Sequence, residues 1–358
     1  MKKINVALIG CGAISIIHAQ GIANNPATEL VYVVDKVTAK AEKMAQVYHC
    51  KMETNYQNLL DNPAIDMVII CTPHYLHKEM SIAFLQHGKH VLCEKPMALT
   101  VKDGEEILAI AASVEVEYAV CFQNRFNDAS VKLKELLEVN AQEFGQLKGA
   151  KLTLSWHRTK AYYADSDWRG DLAKEGGGVL MNQAIHTIDL ITWLVGVPES
   201  VKGQISRNLF DSQITVEDTA MALALYEHGQ PLTIYATNTF SRDLPPEIYL
   251  EFEHGEVSLV GSDWLKVNKE LLVAPSKAEA EKTAPSLGKT YWGNSHQRLI
   301  AEFVYRILQK PTIKTNYLPK ENGLDALKII EGIYLSSKAN QRITLKNNNL
   351  GDFNEFKK

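Results

Sequence analysis

An apolar run over residues 4–9 leads straight into Gly10-Cys11-Gly12-Ala13-Ile14-Ser15, and a helical pattern over residues 14–23 follows at once. A strand, a glycine turn and a helix in that order admit few folds, because the turn must be tight and the helix must pack back on the strand. Gly10 permits the turn, and Gly12 lets the backbone approach a pyrophosphate whose charge the helix N-terminus stabilises. The third position of a G-x-G-x-x-G pattern needs only a small side chain, and here it is Ser15. The next apolar run, 30–34, ends at Asp35, where a carboxylate can bind the adenosine ribose hydroxyls. Gly10, Gly12, Ala13, Ile14 and Asp35 are therefore candidate dinucleotide contacts; the alternative is a packing turn with an unrelated Asp. Asp35 favours NAD, since a carboxylate repels a 2′-phosphate, while Lys36 beside it leaves NADP open.

The rest of the first third agrees with this turn. Residues 4–9, 30–34, 67–71, 90–93 and 117–122 read as strands, apolar on both faces and rich in Val and Ile. Residues 14–23, 39–48, 76–87 and 101–112 read as amphipathic helices between them, which predicts an α/β doubly wound parallel sheet. Past residue 122 the pattern changes. A helix is predicted over 131–139 and an alternating strand over 148–157, with Leu152, Leu154 and Trp156 on one face. After a further helical segment, strands follow strands at 201–206, 218–226, 232–239, 248–253, 256–259 and 264–267, the pattern of an antiparallel sheet. Helices are predicted over 295–309 and 320–337, an exposed loop over 274–288 around Pro275 and Pro285, and a frayed Asn-rich tail after Lys346. The expected organisation is a Rossmann domain over residues 1–122 and an α+β domain with a large, mostly antiparallel sheet over residues 123–358.

Composition narrows the class further. The chain has 358 residues, 46% hydrophobic and 22% charged, enough for two domains whose cores need neither disulfides nor a structural metal. Lys and Arg number 38 against 42 Asp and Glu, and the net charge of −4 offers no footprint for nucleic acid or an anionic membrane. No stretch approaches the ~20 apolar residues of a membrane span. Cys11, Cys50, Cys71, Cys93 and Cys121 are odd in number, widely spaced and without a CxxC pair, so neither a disulfide framework nor a zinc site is indicated. They read as apolar filler in a reducing, cytoplasmic setting. Met1-Lys2-Lys3 and the Leu8-Ile9-Gly10-Cys11 stretch imitate a secretory or lipoprotein signal, but the apolar run is short and cleavage there would destroy the glycine turn.

Chemistry is expected at two strand ends and on one helix. Cys71-Thr72-Pro73-His74 and Glu94-Lys95-Pro96 both end apolar strands, the edge where ligands bind in an open α/β sheet. Lys95, restricted before Pro96, is placed either to bind a substrate hydroxyl and help its proton transfer or to pair with Glu94. Glu175-Gly176-Gly177-Gly178 opens a helix running to about residue 194. Asn182, His186 and Asp189, at i, i+4 and i+7, fall on one face of a regular helix. His186 can exchange a proton with a reacting hydroxyl while Asp189 fixes its tautomer; the alternative is a histidine satisfied inside a core. No metal site is indicated, since no second histidine stands at a matching spacing.

Gly10–Ser15, Asp35, Glu94-Lys95-Pro96 and the segment from Gly176 to Asp189, in this order, resemble the glucose–fructose oxidoreductase/inositol dehydrogenase (Gfo/Idh/MocA) family. The likeness covers nearly the whole chain and includes Thr72-Pro73-His74-Tyr75-Leu76-His77, Gln123-Asn124-Arg125-Phe126 and the helix over 295–309. It implies oxidation or reduction of a hydroxyl carbon on a sugar, polyol or sugar derivative, with NAD or NADP as cofactor. It implies that Lys95 and His186 are catalytic, and that Thr72, Pro73, His77, Glu94, Lys95 and Gln123 join the cofactor contacts. Asn182 stands where inositol dehydrogenases commonly carry Asp, which implies binding of a substrate hydroxyl rather than proton relay. His74 stands where the family usually has Asn. The resemblance also draws in the loop before the helix, with Arg158, Tyr162, Tyr163, Trp168 and Arg169, and more weakly His296. Aromatic faces suit sugar rings and Arg suits a carboxylate or phosphate, so Arg158, Tyr163, Trp168 and Arg169 join Asn182 and Asp189 as candidate substrate contacts, against ordinary loop packing.

The expected activity is that of an NAD(P)-dependent dehydrogenase or reductase acting on a CH–OH group of a sugar, sugar derivative or nucleotide sugar. A homodimer or homotetramer is expected by analogy, with no nucleic-acid or membrane partner. Two rivals use the same residues: a glycosidase that recycles bound NAD, and a non-enzymatic cofactor-binding regulator. Net change in nicotinamide absorbance separates the first from a dehydrogenase, and the joint presence of Lys95 and His186 argues against the second.

Overall fold

The computed structural model describes residues 3–210, 212–274, 295–310, 317–318 and 320–345. Strand β1 (Ile4–Ile9) feeds helix α1 (Ala13–Asn24), and the chain then alternates: β2 (Thr28–Val34), α2 (Thr38–Tyr48), β3 (Lys51–Glu53), β4 (Met67–Ile70), α3 (His77–Gln86), β5 (His90–Glu94), α4 (Val101–Ser113) and β6 (Tyr118–Cys121). All six strands pair in parallel, in the order β3-β2-β1-β4-β5-β6. Helices cover both faces, so β4 and β6 are buried at every position, as their unbroken apolar sequence requires. The three-residue β3 has no counterpart in the sequence reading, because so short and half-exposed a segment carries no hydrophobic period. The chain changes direction across the sheet between β1 and β4, and this opens a crevice at their C-terminal ends, where Gly10 and Cys71 lie.

Beyond β6 come α5 (Asp128–Val139), the short α6 (Ala141–Phe144), β7 (Leu147–Ser155), the short α7 (Lys160–Ala164) and α8 (Leu172–Glu175), and α9 (Ile185–Val195). Seven strands follow with no helix between them: β8 (Ser200–Ser206), β9 (Thr219–Leu225), β10 (Pro231–Thr237), β11 (Glu247–Phe252), β12 (Gly255–Val260), β13 (Trp264–Val267) and β14 (Glu270–Val273). With β7 and β15 (Ile343–Thr344) they form a nine-stranded sheet ordered β14-β13-β12-β11-β7-β10-β9-β8-β15. Only the β7–β10 pair is parallel. Leu152 and Leu154 of β7 are buried, as their alternation predicts. The other face of this sheet leaves Met221 57% and Leu223 40% exposed.

The last two helices join the domains. Helix α10 (Ser295–Ile307) follows the second sheet in sequence but packs on α1 and β6 of the first domain. Gly21 of α1 makes room for it: a Cβ there would lie 2.8 Å from Ile300 Cδ1. Helix α11 (Asp325–Ala339) packs along β8 and α9, and Glu331 on it accepts from the Val101 N–H at the start of α4. Of the expected loop over 274–288 only residue 274 falls within the described residues, and the expected tail lies outside them. All five cysteines are free, four buried and Cys50 half-buried. No helix of the described residues is long and apolar enough to cross a membrane.

Candidate active site

The crevice is shaped by two glycines with opposite roles. Gly10 has φ +98°, and a Cβ on it would meet the Cys71 carbonyl oxygen at 2.7 Å, so β1 can turn beside β4 only without a side chain. Gly12 is extended, and a Cβ there would meet nothing within 4 Å. It leaves open space beside the first turn of α1, which has no side-chain cap and no acidic residue. Ser15 in the third motif position is buried and donates to the Gly12 carbonyl. Asp35 Oδ2 accepts from the Cys11 N–H at 2.9 Å and Oδ1 from the Val37 N–H at 2.8 Å, which fixes the carboxylate at the rim with lone pairs to spare. Gln123, at the end of β6 and 3% exposed, has an Oε1 without a partner among the described residues. An open cradle at an uncapped helix start, a fixed carboxylate and an orphaned buried acceptor fit a dinucleotide.

At the end of β5 the chain passes through a cis Lys95–Pro96 peptide. Lys95 Nζ donates to the Asn182 carbonyl at 2.8 Å and to Asn182 Oδ1 at 3.3 Å, so the amine bridges the two domains. Burial lowers the Lys95 pKa, opposed by the nearby Glu94 and Glu175 charges. Burial, reinforced by the Lys95 charge, holds the His186 pKa well below the ordinary histidine value. His186 is thus neutral at pH 7, and its Nδ1 has no partner among the described residues. A neutral imidazole can take a hydroxyl proton, and an ammonium beside it can stabilise the oxygen left behind.

Glu175 organises this pair, although the sequence marks it only as the residue before three glycines. Its Oε1 accepts from Asn182 Nδ2 at 2.5 Å and its Oε2 from the Gly170 N–H at 2.6 Å. Asn182 Nδ2 also reaches the Tyr162 hydroxyl at 3.3 Å, so its Oδ1 is left to face Lys95. Glu175 is 1% exposed, and burial pushes its carboxyl up to about 7 against those two hydrogen bonds. Its main-chain carbonyl accepts from His74 Nδ1 at 2.8 Å, and Trp168 packs on His74 with ring centroids 4.6 Å apart. Nothing local in the sequence distinguishes Glu175, because each of these partners is supplied by the fold.

Several expected contacts are placed differently. Residues Leu180–Ala184 form a π-type turn before α9, so Asn182, His186 and Asp189 do not share one regular helical face. Asp189 does not hold His186; it is fully buried with both oxygens on Arg125, at 2.8 Å to Nε and 2.5 Å to the second guanidinium arm. A buried guanidinium requires a buried carboxylate, and that demand takes Asp189 away from the cleft. Arg158 is buried and committed to Asp243 and its own chain, at 2.6 Å to the His157 carbonyl. Tyr163 packs with Phe210, Ile214 and Val216 in a small satellite core. His77 ties the strand-end loops together, its ring nitrogens 2.7 Å from the Pro96 carbonyl and 2.8 Å from that of Thr72. Glu94 points into the core onto His18 Nε2 at 2.7 Å; burial alone would raise its pKa, but the His18 hydrogen bond and the charges of His18, His296 and Lys95 together outweigh it and keep Glu94 ionised. By contrast Thr72, Pro73, Trp168 and Arg169 remain partly exposed.

The fold brings together a buried group that no spacing along the chain marks: donor atoms of His18, Glu94, Cys121 and His296 lie within 4.8 Å of one another. The His18–Glu94 separation of 2.7 Å is a direct hydrogen bond, closer than the roughly 3.3 Å between two ligands of one tetrahedral zinc ion. The His296 ring stands edge-on to His18, and burial pushes its pKa down to about 3.

Comparison with known proteins agrees with this geometry. Residues 4–122 match the family described as an oxidoreductase family with an NAD-binding Rossmann fold, and residues 131–258 match the GFO/IDH/MocA C-terminal domain. An uncharacterized oxidoreductase of Synechocystis sp. is 30% identical over 276 residues, which is 74% of this chain and 73% of the relative. Glucose-6-phosphate 3-dehydrogenase of Bacillus subtilis is 31% identical over 230 residues, 62% of this chain and 63% of the relative. Among solved structures, the WlbA dehydrogenase of Bordetella pertussis in complex with NADH and UDP-GlcNAcA superposes with a TM-score of 0.83 at 26% identity, covering 97% of this chain and 100% of that one.

Proposed function

The chain belongs to the GFO/IDH/MocA oxidoreductase family, and from that premise we propose that it is an NAD-dependent dehydrogenase or reductase acting on a CH–OH group of a sugar, sugar derivative or nucleotide sugar. The observation that carries this reading is the convergence of Lys95 and His186 beside the glycine crevice, an ammonium held by Asn182 and a neutral imidazole whose pKa its charge helps to lower. Bound nicotinamide supplies the acceptor or donor of the hydride. Lys95 hydrogen-bonds and polarises the substrate oxygen, and His186 takes or returns the hydroxyl proton. Asn182, held by Glu175, fixes the position of the Lys95 amine and offers the second lone pair of its Oδ1 to a neighbouring hydroxyl. Asp35 favours NAD over NADP by charge.

The names of similar proteins support the substrate class. The relatives include dehydrogenases of glucose 6-phosphate, levoglucosan and inositol, and the WlbA structure contains a nucleotide sugar acid. We place the domain boundary at residue 122, with the cofactor held mainly by 1–122 and the substrate mainly by 123–358; the end of the parallel sheet at Cys121 supports this division. The open sheet face with Met221 and Leu223 supports pairing of two or four copies, which light scattering would measure.

Incubation with NAD and a panel of sugars and nucleotide sugars, followed by nicotinamide absorbance, tests the reading. Accumulation of reduced cofactor with one of them is the expected result. Cleavage of a glycoside without net absorbance change would identify a cofactor-recycling glycosidase instead, and tight NAD binding with no turnover of any compound would identify a regulator.

A further inference from the structure

Two arginines stand in the loop before α9, and the fold treats them differently. The Arg158 guanidinium is spoken for by Asp243 and the His157 carbonyl. The Arg169 guanidinium lies 4.7 Å over the Tyr162 ring and 5.3 Å from that of Trp168, and among the described residues no carboxylate forms an ion pair with it. Stacking holds the planar group in place while leaving its N–H donors for something else. Two side chains connect it to the chemistry. The Tyr162 hydroxyl is reached by Asn182 Nδ2 at 3.3 Å and Gln183 Nε2 at 3.2 Å, and Asn182 Oδ1 is 3.3 Å from Lys95 Nζ. Arg169 is therefore connected to the Lys95 amine through Tyr162 and Asn182.

Resting on the dehydrogenase reading above, we propose that Arg169 binds an anionic group on the substrate, a carboxylate or a phosphate, so that the enzyme selects an acidic sugar over its neutral counterpart. The charge balance of the cleft supports this. Glu175 is the buried carboxylate of the site, and both its oxygens are occupied by Gly170 and Asn182. The Arg169 charge is close enough to depress the Lys95 pKa, so the two cations repel one another. An anion on the substrate relieves that repulsion, and a planar guanidinium presents the paired donors that carboxylate and phosphate geometry accept. Glu94 and Glu175 offset part of the Lys95 charge, whereas no carboxylate among the described residues forms an ion pair with Arg169, so a neutral sugar leaves that guanidinium without one.

The test uses the full chain with NADH bound and measures ligand Kd by calorimetry, independent of turnover. Matched probes are glucose against glucuronate, glucose against glucose 6-phosphate, and N-acetylglucosamine against N-acetylglucosaminuronate; the carboxylate and phosphate arms show which anion the site takes. The expected result is a roughly 10- to 100-fold preference for at least one anionic partner over its neutral match, weakened by salt. Arg169→Met should collapse that ratio toward one, and Arg169→Lys should restore part of it through charge without the paired donors. Equal affinity for neutral and anionic partners, or a preference that survives Arg169→Met, would overturn the proposal. If a neutral sugar is oxidised with no anionic preference, this proposal fails and the dehydrogenase reading stands. If anions bind through Arg169 but no sugar is turned over, the site assignment stands and the dehydrogenase reading fails.

Discussion

Replacing Glu175 with Gln removes one ionisable group from the centre of the site while keeping its shape. In the folded chain the Glu175 carboxyl is raised from 4.5 to about 7, mainly by burial. Its protonated form therefore suits the fold better than its ionised form. Such a group contributes its full share to stability below about pH 4.5, and the contribution is lost as the pH rises through about 7. The shift corresponds to about 3 kcal/mol. Unfolding entropy of about 2.1 cal/mol/K per residue over 358 residues turns that into about 4 °C of Tm. The assay is a calorimetric Tm for wild type and Glu175→Gln at steps from about pH 4.5 to about pH 8. Gln leaves either the Gly170 N–H or the Asn182 amide without its acceptor, an offset that does not vary with pH. Other buried acids, such as Glu217, affect both proteins alike. Wild type should therefore lose about 4 °C relative to the variant as the pH rises. Parallel curves would mean that Glu175 is ionised throughout and that burial does not govern it.

The two glycines of the crevice should separate folding from cofactor binding. Gly12→Ala meets nothing within 4 Å, so Tm should change little while NAD affinity falls; Gly10→Ala, at φ +98° and 2.7 Å from the Cys71 carbonyl, should lower both. Asp189→Asn strands a buried Arg125 and should destabilise the chain by about 3–5 kcal/mol in denaturant unfolding, whereas a residue that merely oriented His186 would change turnover and leave stability alone. Lys95→Ala and His186→Ala should each lower kcat by roughly 10²–10⁴ without unfolding the protein, measured on whichever substrate the panel identifies; near-normal turnover in both would remove them from the proposed roles.

What could be read from the sequence was what depends on neighbours along the chain. The glycine turn, the strands on either side of it and the apolar faces of β7 are local patterns, and the structure places them within a residue or two. The Lys95–His186 pairing was legible only through resemblance, because the two residues sit in different domains. The candidate contacts that the structure places differently share one cause. Asp189, Arg158, Tyr163, Glu94 and His77 have side chains of the right chemistry, but each is claimed by a partner that the fold brings to it: Arg125, Asp243, the Phe210 cluster, His18, and the Thr72 and Pro96 carbonyls. The π-type turn at Leu180–Ala184 also defeats any argument from i, i+4 spacing, since nothing in Leu180-Met181-Asn182-Gln183-Ala184 announces it. A buried carboxylate beside three glycines was equally silent: Gly178 is needed because a Cβ would collide with the Glu217 carbonyl at 1.8 Å, while Glu175 is held by the Gly170 N–H and Asn182.

The central claim is that Lys95 and His186 serve direct hydride transfer between a sugar carbon and the nicotinamide. It is tested most directly with a substrate deuterated at the carbinol carbon, followed by mass analysis of the cofactor. The account predicts that the reduced nicotinamide carries the deuterium in proportion to the oxidised sugar formed, and that His186→Ala binds the same substrate but transfers almost none. Oxidised sugar formed with no deuterium on the cofactor, or transfer undiminished in His186→Ala, would contradict it.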